Sequence, residues 1–225
     1  SSPYGEDCRA CWTVPEDYRL VGIDASGLEL RMLAHYLNDE GYTNEILNGD
    51  IHTANQNLAG LESRDQAKTF IYALLYGAGD AKLGSVVGRG RAHGKGLRQR
   101  FFDGLPSFKN LTDRVQGEAK SGFLKALDGR RLTVRSEHAA LNTLLQGAGA
   151  IVMKKALVIL NDKIIKHGWD AKFVANVHDE WQIECHLDDA VDVGNAGVHA
   201  IKEAGCMLNL NCPLDGDYKV GENWS

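Results

Sequence analysis

The segment LVGIDASGLELRML, residues 20–33, places a short apolar run directly before an acid and a helical pattern. The apolar residues Leu20 to Ile23 predict a buried β-strand, and Asp24 stands at the C-terminal end of that strand. From Leu28 onward, apolar residues recur at helical spacing. The first unit of the fold is therefore predicted to be a strand, an acidic tip and a helix.

A second acid follows another predicted strand. Residues 171–185 alternate as a strand pair, with His178, Asp179 and Glu180 at the turn. Taken singly, Asp24 or Asp179 is an ordinary cap or surface residue. If the two strands are neighbours, however, the carboxylates repel each other unless a cation lies between them. Oxygen ligands of this kind favour Mg²⁺, and a pair of such ions can activate an attacking oxygen and stabilise a leaving one.

A helix that opens at Ser63 carries a distinctive polar face. Four of its side chains recur every four residues and so share one side of the helix, namely Arg64, Lys68, Tyr72 and Tyr76. Two cations one turn apart can hold phosphate oxygens, and an aromatic ring further along can stack on a base or sugar. A surface helix with long side chains is the alternative interpretation. The two tyrosines on the same face favour a triphosphate-binding role.

The charge is unevenly distributed along the 225 residues. The formal total is −5, yet residues 81–135 hold 13 Lys/Arg against 4 Asp/Glu, whereas residues 1–80 hold 5 against 13. Clustered basic side chains neutralise phosphates whatever the net charge, so this block is a candidate polyanion-binding surface. A solvated basic face is the alternative. The net acidity alone therefore does not exclude nucleic acid as a partner.

Other stretches are less distinctive. Residues 84–104 are rich in glycine and basic residues, which favours loops and short helices in an exposed lobe. Residues 132–134 predict a short strand, residues 139–166 a long helix, and residues 186–225 one helix and a short final segment.

We find no apolar run near the roughly 18–20 residues that span a bilayer, and the acidic start is unlike a signal peptide. Five cysteines without such a signal indicate a cytoplasmic protein.

Three of these segments occur together in one known family. They are D-x-S-x-x-E-x-R at residues 24–31, R-x-x-x-K-x-x-x-Y-x-x-x-Y-G at residues 64–77, and H-D-E at residues 178–180. Their order and spacing resemble family A DNA polymerases of the DNA polymerase I type. Within the family, the chain looks most similar to replicative polymerases of short-tailed phages. Each motif is weak alone, but three in order are highly specific.

The resemblance implies an α+β fold made of two of the family's subdomains. The palm is a small antiparallel sheet with packed helices, and the fingers are mostly helical. The implied boundaries are 1–50 for the first part of the palm, 51–128 for the fingers, and 129–225 for the second part of the palm. Only 23 residues precede Asp24, which leaves no room in this sequence for the family's thumb or exonuclease domain.

The resemblance also implies roles for single residues. Asp24, Asp179 and the backbone carbonyl of Ala25 would hold two Mg²⁺ ions, with Glu180 as a supporting acid. Lys68 would also protonate the pyrophosphate leaving group. The implied dNTP-binding residues are His52, Arg64, Lys68, Tyr72, Tyr76 and Glu29, of which Glu29 and Tyr76 would exclude ribonucleotides. The implied DNA-binding residues are His178 at the primer terminus, Asn142 and Gln146 at the minor groove, and Arg130, Arg131 and Arg135 on the backbone.

The implied function is template-directed transfer of a nucleotide from a dNTP to a primer 3′-OH in phage DNA replication. The implied partners are primer-template DNA, dNTPs and a processivity factor that acts through a thumb, with no membrane and a location in the host cytoplasm. One alternative is a weak or inert DNA-binding fragment, because a thumb is missing. A two-metal nuclease is a further alternative, but it would need no triphosphate-binding helix.

Overall fold

The computed structural model describes residues 4–224 of the chain. Residues 1–3 and Ser225 lie outside the described residues. Part of the N-terminal segment that is unlike a signal peptide is therefore not described. The helices within this range are α1 (Gly5–Ala10), α2 (Leu28–Leu37), α3 (Glu40–Asn48), α4 (Ile51–Ala59), α5 (Arg64–Leu75), α6 (Asp80–Ser85), α7 (Arg91–Gly104), α8 (Pro106–Ala119), α9 (Ala140–His167) and α10 (Ala190–Met207). The strands are β1 (Tyr18–Ala25), β2 (Phe123–Lys125), β3 (Arg131–Thr133), β4 (Ala171–Val177), β5 (Glu180–His186) and β6 (Gly216–Gly221).

A four-stranded antiparallel sheet has the strand order β4-β5-β1-β6. Its central strand β1 buries Leu20, Val21 and Ile23, as the apolar run predicts. Helix α10 packs against β1 and β6. The approach is close because Gly197 has no side chain, and a Cβ there would lie 2.3 Å from Cδ1 of Ile23. The sheet is therefore anchored on one side by a helix with small residues at the contact.

The helical region is built around α5 and the helices that follow it. Ala67, Phe70, Ile71, Leu74 and Leu75 of α5 are buried. The ring of Phe70 meets that of Phe101 on α7 edge to face, with centroids 5.7 Å apart. Strands β2 and β3 form a separate antiparallel hairpin. The combination of a small antiparallel sheet with a largely helical region confirms the predicted α+β class.

The prediction of loops and short helices for residues 84–104 is wrong for residues 91–104, which form one long helix. Helix α7 spans 14 residues, and its Leu97 and Phe101 are buried. Glycine weakens a helix locally, but here it permits close packing. A Cβ on Gly94 would lie 1.9 Å from the backbone oxygen of Asp80 and 2.5 Å from the nitrogen of Gly84. The glycines therefore mark the crossing of α6 and α7.

The chain divides into two compact units. The first contains the described residues of Ser1–Leu28 and Gly149–Ser225, and the second contains Glu29–Ala148. The sheet and α10 belong to the first unit, and helices α3 to α8 with the β2–β3 hairpin belong to the second. The subdomain boundaries at 50 and 128 stay a prediction.

One helix bears on the prediction that the sequence contains no apolar run long enough to span a bilayer. Within the described residues, Glu137–His167 is long and apolar enough, by length and composition, to cross a membrane. Half of its most apolar window is buried inside the protein. Core helices of soluble proteins pass the same test, so this is weak evidence for a membrane span.

Candidate functional site

Acidic side chains converge at one end of the four-stranded sheet. Asp24 on β1 lies opposite Glu180 on β5 and opposite Asp217 on β6. Asp179 lies at the same end of the sheet, because the Ala25 backbone N–H donates to the Asp179 carbonyl oxygen at 3.1 Å. The predicted neighbours Asp24, Asp179 and Glu180 therefore come together. Asp217 joins them, although the sequence pattern gave no reason to place its strand beside β1.

The surroundings of this carboxylate cluster disfavour the ionised form of Asp24. Burial, followed by the charges of Asp179, Glu180 and Asp217, raises the pKa of Asp24 to about 6. Like charges directly opposite each other on neighbouring strands are destabilising. A bound cation would relieve this repulsion and favour the ionised form.

The donor set of the carboxylate cluster suits Mg²⁺ better than a transition metal. Among residues 4–224, no group of three or more His, Cys, Asp or Glu side chains forms a ready-made metal site. The proposed ligands are two carboxylates and the Ala25 carbonyl. Mg²⁺ commonly binds through one or two carboxylates and completes its shell with waters and substrate phosphates. The residues present therefore fit the implied ion.

Helix α5 presents its cationic and aromatic face to solvent. Ser63 caps the helix by accepting from the Gln66 backbone N–H at 3.2 Å, as the sequence predicts. Because the apolar residues of α5 occupy its buried side, Arg64 and Lys68 are exposed. The rings of Tyr72 and Tyr76 continue the face with centroids 6.5 Å apart.

Asp50 holds Arg64, a contact that the sequence pattern did not reveal. The Arg64 guanidinium donates to both carboxylate oxygens of Asp50, at 2.6 and 3.2 Å. Asp50 also caps α4 by accepting from the His52 backbone N–H at 3.1 Å and from the Thr53 hydroxyl at 2.9 Å. The Arg64 and Thr53 hydrogen bonds hold the pKa of Asp50 well below its usual range. Lys68, in contrast, forms no ion pair with any described residue.

His52 lies beside the same face. Its ring centroid is 6.5 Å from that of Tyr72. Burial, followed by the positive charge of Arg64, lowers the pKa of His52. A neutral imidazole at this place can donate a hydrogen bond without adding charge. The structure therefore groups His52, Arg64, Lys68 and Tyr72 within the second unit.

Replacing Asp50 with alanine should lower the midpoint of thermal unfolding by about 2–4 °C, because α4 loses its N-cap. Replacing Arg64 with alanine should lower it by less than about 1 °C, since exposed ion pairs add little. Differential scanning calorimetry of both variants measures the difference. Equal losses would mean that the ion pair, and not the cap, is the stabilising contact.

Glu29 and Tyr76 are in contact. The Tyr76 hydroxyl donates to the Glu29 carboxylate at 3.2 Å. Directly after Tyr76 the chain turns at Gly77, which has a φ of +77°. A Cβ on Gly77 would lie 2.1 Å from the His138 carbonyl oxygen, so only glycine fits there. The pair implied to exclude ribonucleotides is thus brought together, and its role stays a proposal.

The predicted DNA-binding residues lie on several different elements and most of them are exposed. Asn142 and Gln146 lie one turn apart on α9, and the buried Oδ1 of Asn142 has no hydrogen-bond partner among residues 4–224. His178 is exposed and holds a left-handed backbone conformation, with φ of +55°. The three arginines are exposed as well. Arg130 pairs with Asp128, and the Arg131 guanidinium stacks 4.5 Å above the Phe123 ring, while Arg135 follows β3.

The chain and its fold are similar to known proteins. The model for DNA polymerase family A matches residues 1–225, and the chain therefore belongs to that family. It is 44% identical to the DNA-directed DNA polymerases of Escherichia phage T7 and Enterobacteria phage T3, covering 100% and 99% of this chain. It is 32% identical to the DNA polymerase I of Aquifex aeolicus, covering 97% of this chain. These matches confirm the predicted family and its likeness to phage polymerases.

The chain spans 36% of the length of both phage relatives and 41% of the Aquifex enzyme. A solved structure has a similar fold, with a TM-score of 0.89 over 99% of this chain and 43% of that one. It is the POL domain of Pol1 from M. smegmatis in complex with a DNA primer-template and a dNTP. At 24% sequence identity this likeness shows the fold alone.

Proposed function

We propose that the chain is the palm and fingers part of a DNA-directed DNA polymerase that extends a primer by a two-metal mechanism. The observation that carries the proposal is the carboxylate cluster, in which Asp24 faces Glu180 and Asp217, while the backbone N–H of the next residue, Ala25, donates to the Asp179 carbonyl oxygen. Such a cluster suits divalent cations, which relieve the repulsion between neighbouring carboxylates. The exposed cations of α5 supply the complementary charge for a triphosphate.

The carboxylates of Asp24 and Asp179, with the carbonyl of Ala25, would hold two Mg²⁺ ions. When bound, these ions supply Lewis-acid stabilisation of the attacking and leaving oxygens. In the reaction, the primer 3′-oxygen attacks the α-phosphorus in line. The new P–O bond forms as the bond to the β-phosphate oxygen breaks, and pyrophosphate leaves. The 3′-hydroxyl proton passes to solvent.

Residues of α5, together with His52 of α4, would act on the triphosphate and its leaving group. Lys68 donates a proton to the pyrophosphate oxygen that separates from the α-phosphorus, and Arg64 and His52 bind the phosphates. This is positioning and charge stabilisation at preorganised groups, which accounts for much of enzymatic rate enhancement. Tyr72 stacks beside the incoming nucleotide, and Glu29 with Tyr76 closes the space at the sugar 2′ position.

Binding of DNA would use the remaining predicted residues. Asn142 and Gln146 donate to the N3 and O2 acceptors that every base pair shows in the minor groove, which checks shape without reading sequence. His178 touches the primer terminus. The arginines at positions 130, 131 and 135 contact the backbone, together with the basic block of residues 81–135.

The likeness to phage polymerases supports a proposal for the cellular setting. We propose that the full-length protein replicates phage DNA in the cytoplasm of the host cell. Its partners would be primer-template DNA, dNTPs and a processivity factor bound through a thumb. A DNA-binding fragment without turnover is the second candidate, favoured by the chain's spanning only 36% of its phage relatives.

Mg²⁺-dependent primer extension at low salt tests the proposal, with Asp179→Ala as the comparison. Incorporation by the parent chain and not by the variant is the expected result. If neither protein incorporates nucleotide while both retain DNA in a binding assay, the second candidate is correct. Equal incorporation by both would remove Asp179 from the mechanism.

A further inference from the structure

Glu180 is held by two donors at a single oxygen. The indole N–H of Trp224 donates to Oε1 of Glu180 at 2.8 Å. The side-chain amide of Gln182 donates to the same oxygen. Hydrogen bonds to an ionised acceptor are stronger than neutral ones, so this pair of donors fixes the carboxylate. No described residue donates to Oε2 of Glu180.

Gln182 occupies space that is left open because the residue opposite it on β1, Gly22, has no side chain. It is 4% exposed, one of two polar side chains that are buried in residues 4–224. In the strand register it lies opposite Gly22 of β1. A Cβ on Gly22 would lie 2.6 Å from the Gln182 amide nitrogen. Glycine at position 22 therefore makes the room in which Gln182 reaches Glu180.

Trp224 is placed by pairing between two distant segments. Thr13 and Asn223 form an isolated antiparallel bridge, and the Trp224 backbone N–H donates to the Trp12 carbonyl at 3.2 Å. The Trp12 and Trp224 rings meet edge to face with centroids 6.5 Å apart. This pairing fixes the ring that donates to Glu180.

We infer that Gln182 and Trp224 are positioning residues that hold the Glu180 carboxylate in place beside Asp24 and so support the metal site. The inference rests on the proposed function. Glu180 lies directly opposite Asp24, and like charges so placed repel each other. Two donors at Oε1 offset that repulsion and prevent Glu180 from rotating. Residues that surround the ligands of a metal site and fix their surroundings commonly change metal affinity or activity by about 10–100-fold when removed.

The test is a double-mutant cycle on the whole chain, formed by the parent, Trp224→Phe, Glu180→Ala and the double variant. Phenylalanine keeps an aromatic ring and removes the donor. Two quantities are measured for each protein: Mn²⁺ affinity, from the free Mn²⁺ signal in electron paramagnetic resonance, and primer extension as a function of Mg²⁺ concentration. Trp12→Phe is the matched control, since Trp12 shares the ring contact and donates nothing to Glu180.

Trp224→Phe should weaken Mn²⁺ binding and raise the Mg²⁺ midpoint by about tenfold, with the KM for dNTP unchanged. In the Glu180→Ala background the same change should have no further effect, because its partner is gone. Trp12→Phe should stay within about twofold of the parent. A Trp224→Phe effect of equal size in both backgrounds, or none in either, overturns the inference.

Two further variants separate this inference from the proposed function. Asp24→Asn and Asp179→Asn should each weaken Mn²⁺ binding more than Trp224→Phe does. If neither weakens it, the proposed metal site is wrong and the inference fails with it. If both weaken it and the cycle is additive, the inference alone fails.

Discussion

Asparagine in place of Asp24 should lower Mg²⁺-dependent incorporation by about a thousandfold while it raises the midpoint of thermal unfolding in EDTA. The amide keeps the shape of the side chain but loses the charge that holds a cation, at a site where the transition state depends on that cation. Without metal, the same change removes repulsion from Glu180 and Asp217 on the flanking strands. Relief of about 1 kcal/mol corresponds to about 2–4 °C in a chain of this size.

The stabilisation should depend on pH in a defined direction. The pKa of Asp24 is raised to about 6 in the folded state. A carboxyl group with a raised pKa favours the fold while it is protonated, and this contribution is lost as pH rises through that value. The advantage of asparagine in EDTA should therefore be small near pH 4 and full above about pH 7.

The matched control for Asp24 is Asp17→Asn, a substitution of an exposed acid just before β1. It removes the same charge outside the carboxylate cluster, so it should leave both incorporation and thermal stability nearly unchanged. Melting curves in EDTA at several pH values, with parallel primer extension, measure all these effects. A destabilised Asp24→Asn variant would show that the acids at the sheet end do not repel one another.

Alanine in place of Lys68 should reduce the efficiency of dNTP use by about a hundredfold and change DNA retention by less than about twofold. Lys68 is exposed on α5, one turn from Arg64, and forms no ion pair with any described residue. Its removal should therefore cost little stability. Loss of a proton donor to the leaving group accounts for a rate effect of this order.

Lys82→Ala provides the opposite control. Lys82 is an exposed residue of α6 in the basic block of residues 81–135. Its loss should weaken DNA retention modestly and lower the salt dependence of binding by about one ion, without changing the KM for dNTP. Steady-state kinetics and filter binding on both variants separate the two roles. Equal losses in both assays for Lys68→Ala would exclude a specific role toward the triphosphate.

Much of the fold and of the site follows from local patterns in the sequence. The strand that ends near Asp24, the hairpin around His178 and Asp179, and the long helix α9 are all confirmed. Helix α5 begins at its predicted cap and presents its predicted face. These features are local because hydrophobic periodicity and capping depend on residues within a few positions of one another.

Glycine shows the limit of local patterns. In residues 84–104 it suggested loops and short helices, yet Gly94 lies inside the 14-residue helix α7, where a side chain would strike the backbone of α6. Gly22 has a similar role opposite Gln182. Whether a glycine breaks an element or permits close packing depends on its neighbour in space.

The sequence by itself determined the family and the class of fold. It also determined the position of Asp24 near the end of a strand, the position of Asp179 at a hairpin turn, and the cationic face of α5. Only the tertiary structure decided that β6 lies beside β1 and brings Asp217 to Asp24, that Asp50 holds Arg64, and that Gln182 and Trp224 hold Glu180. The physical reason is that these contacts join segments far apart in the chain. They depend on strand register and on the close approach of side chains, which no local period encodes.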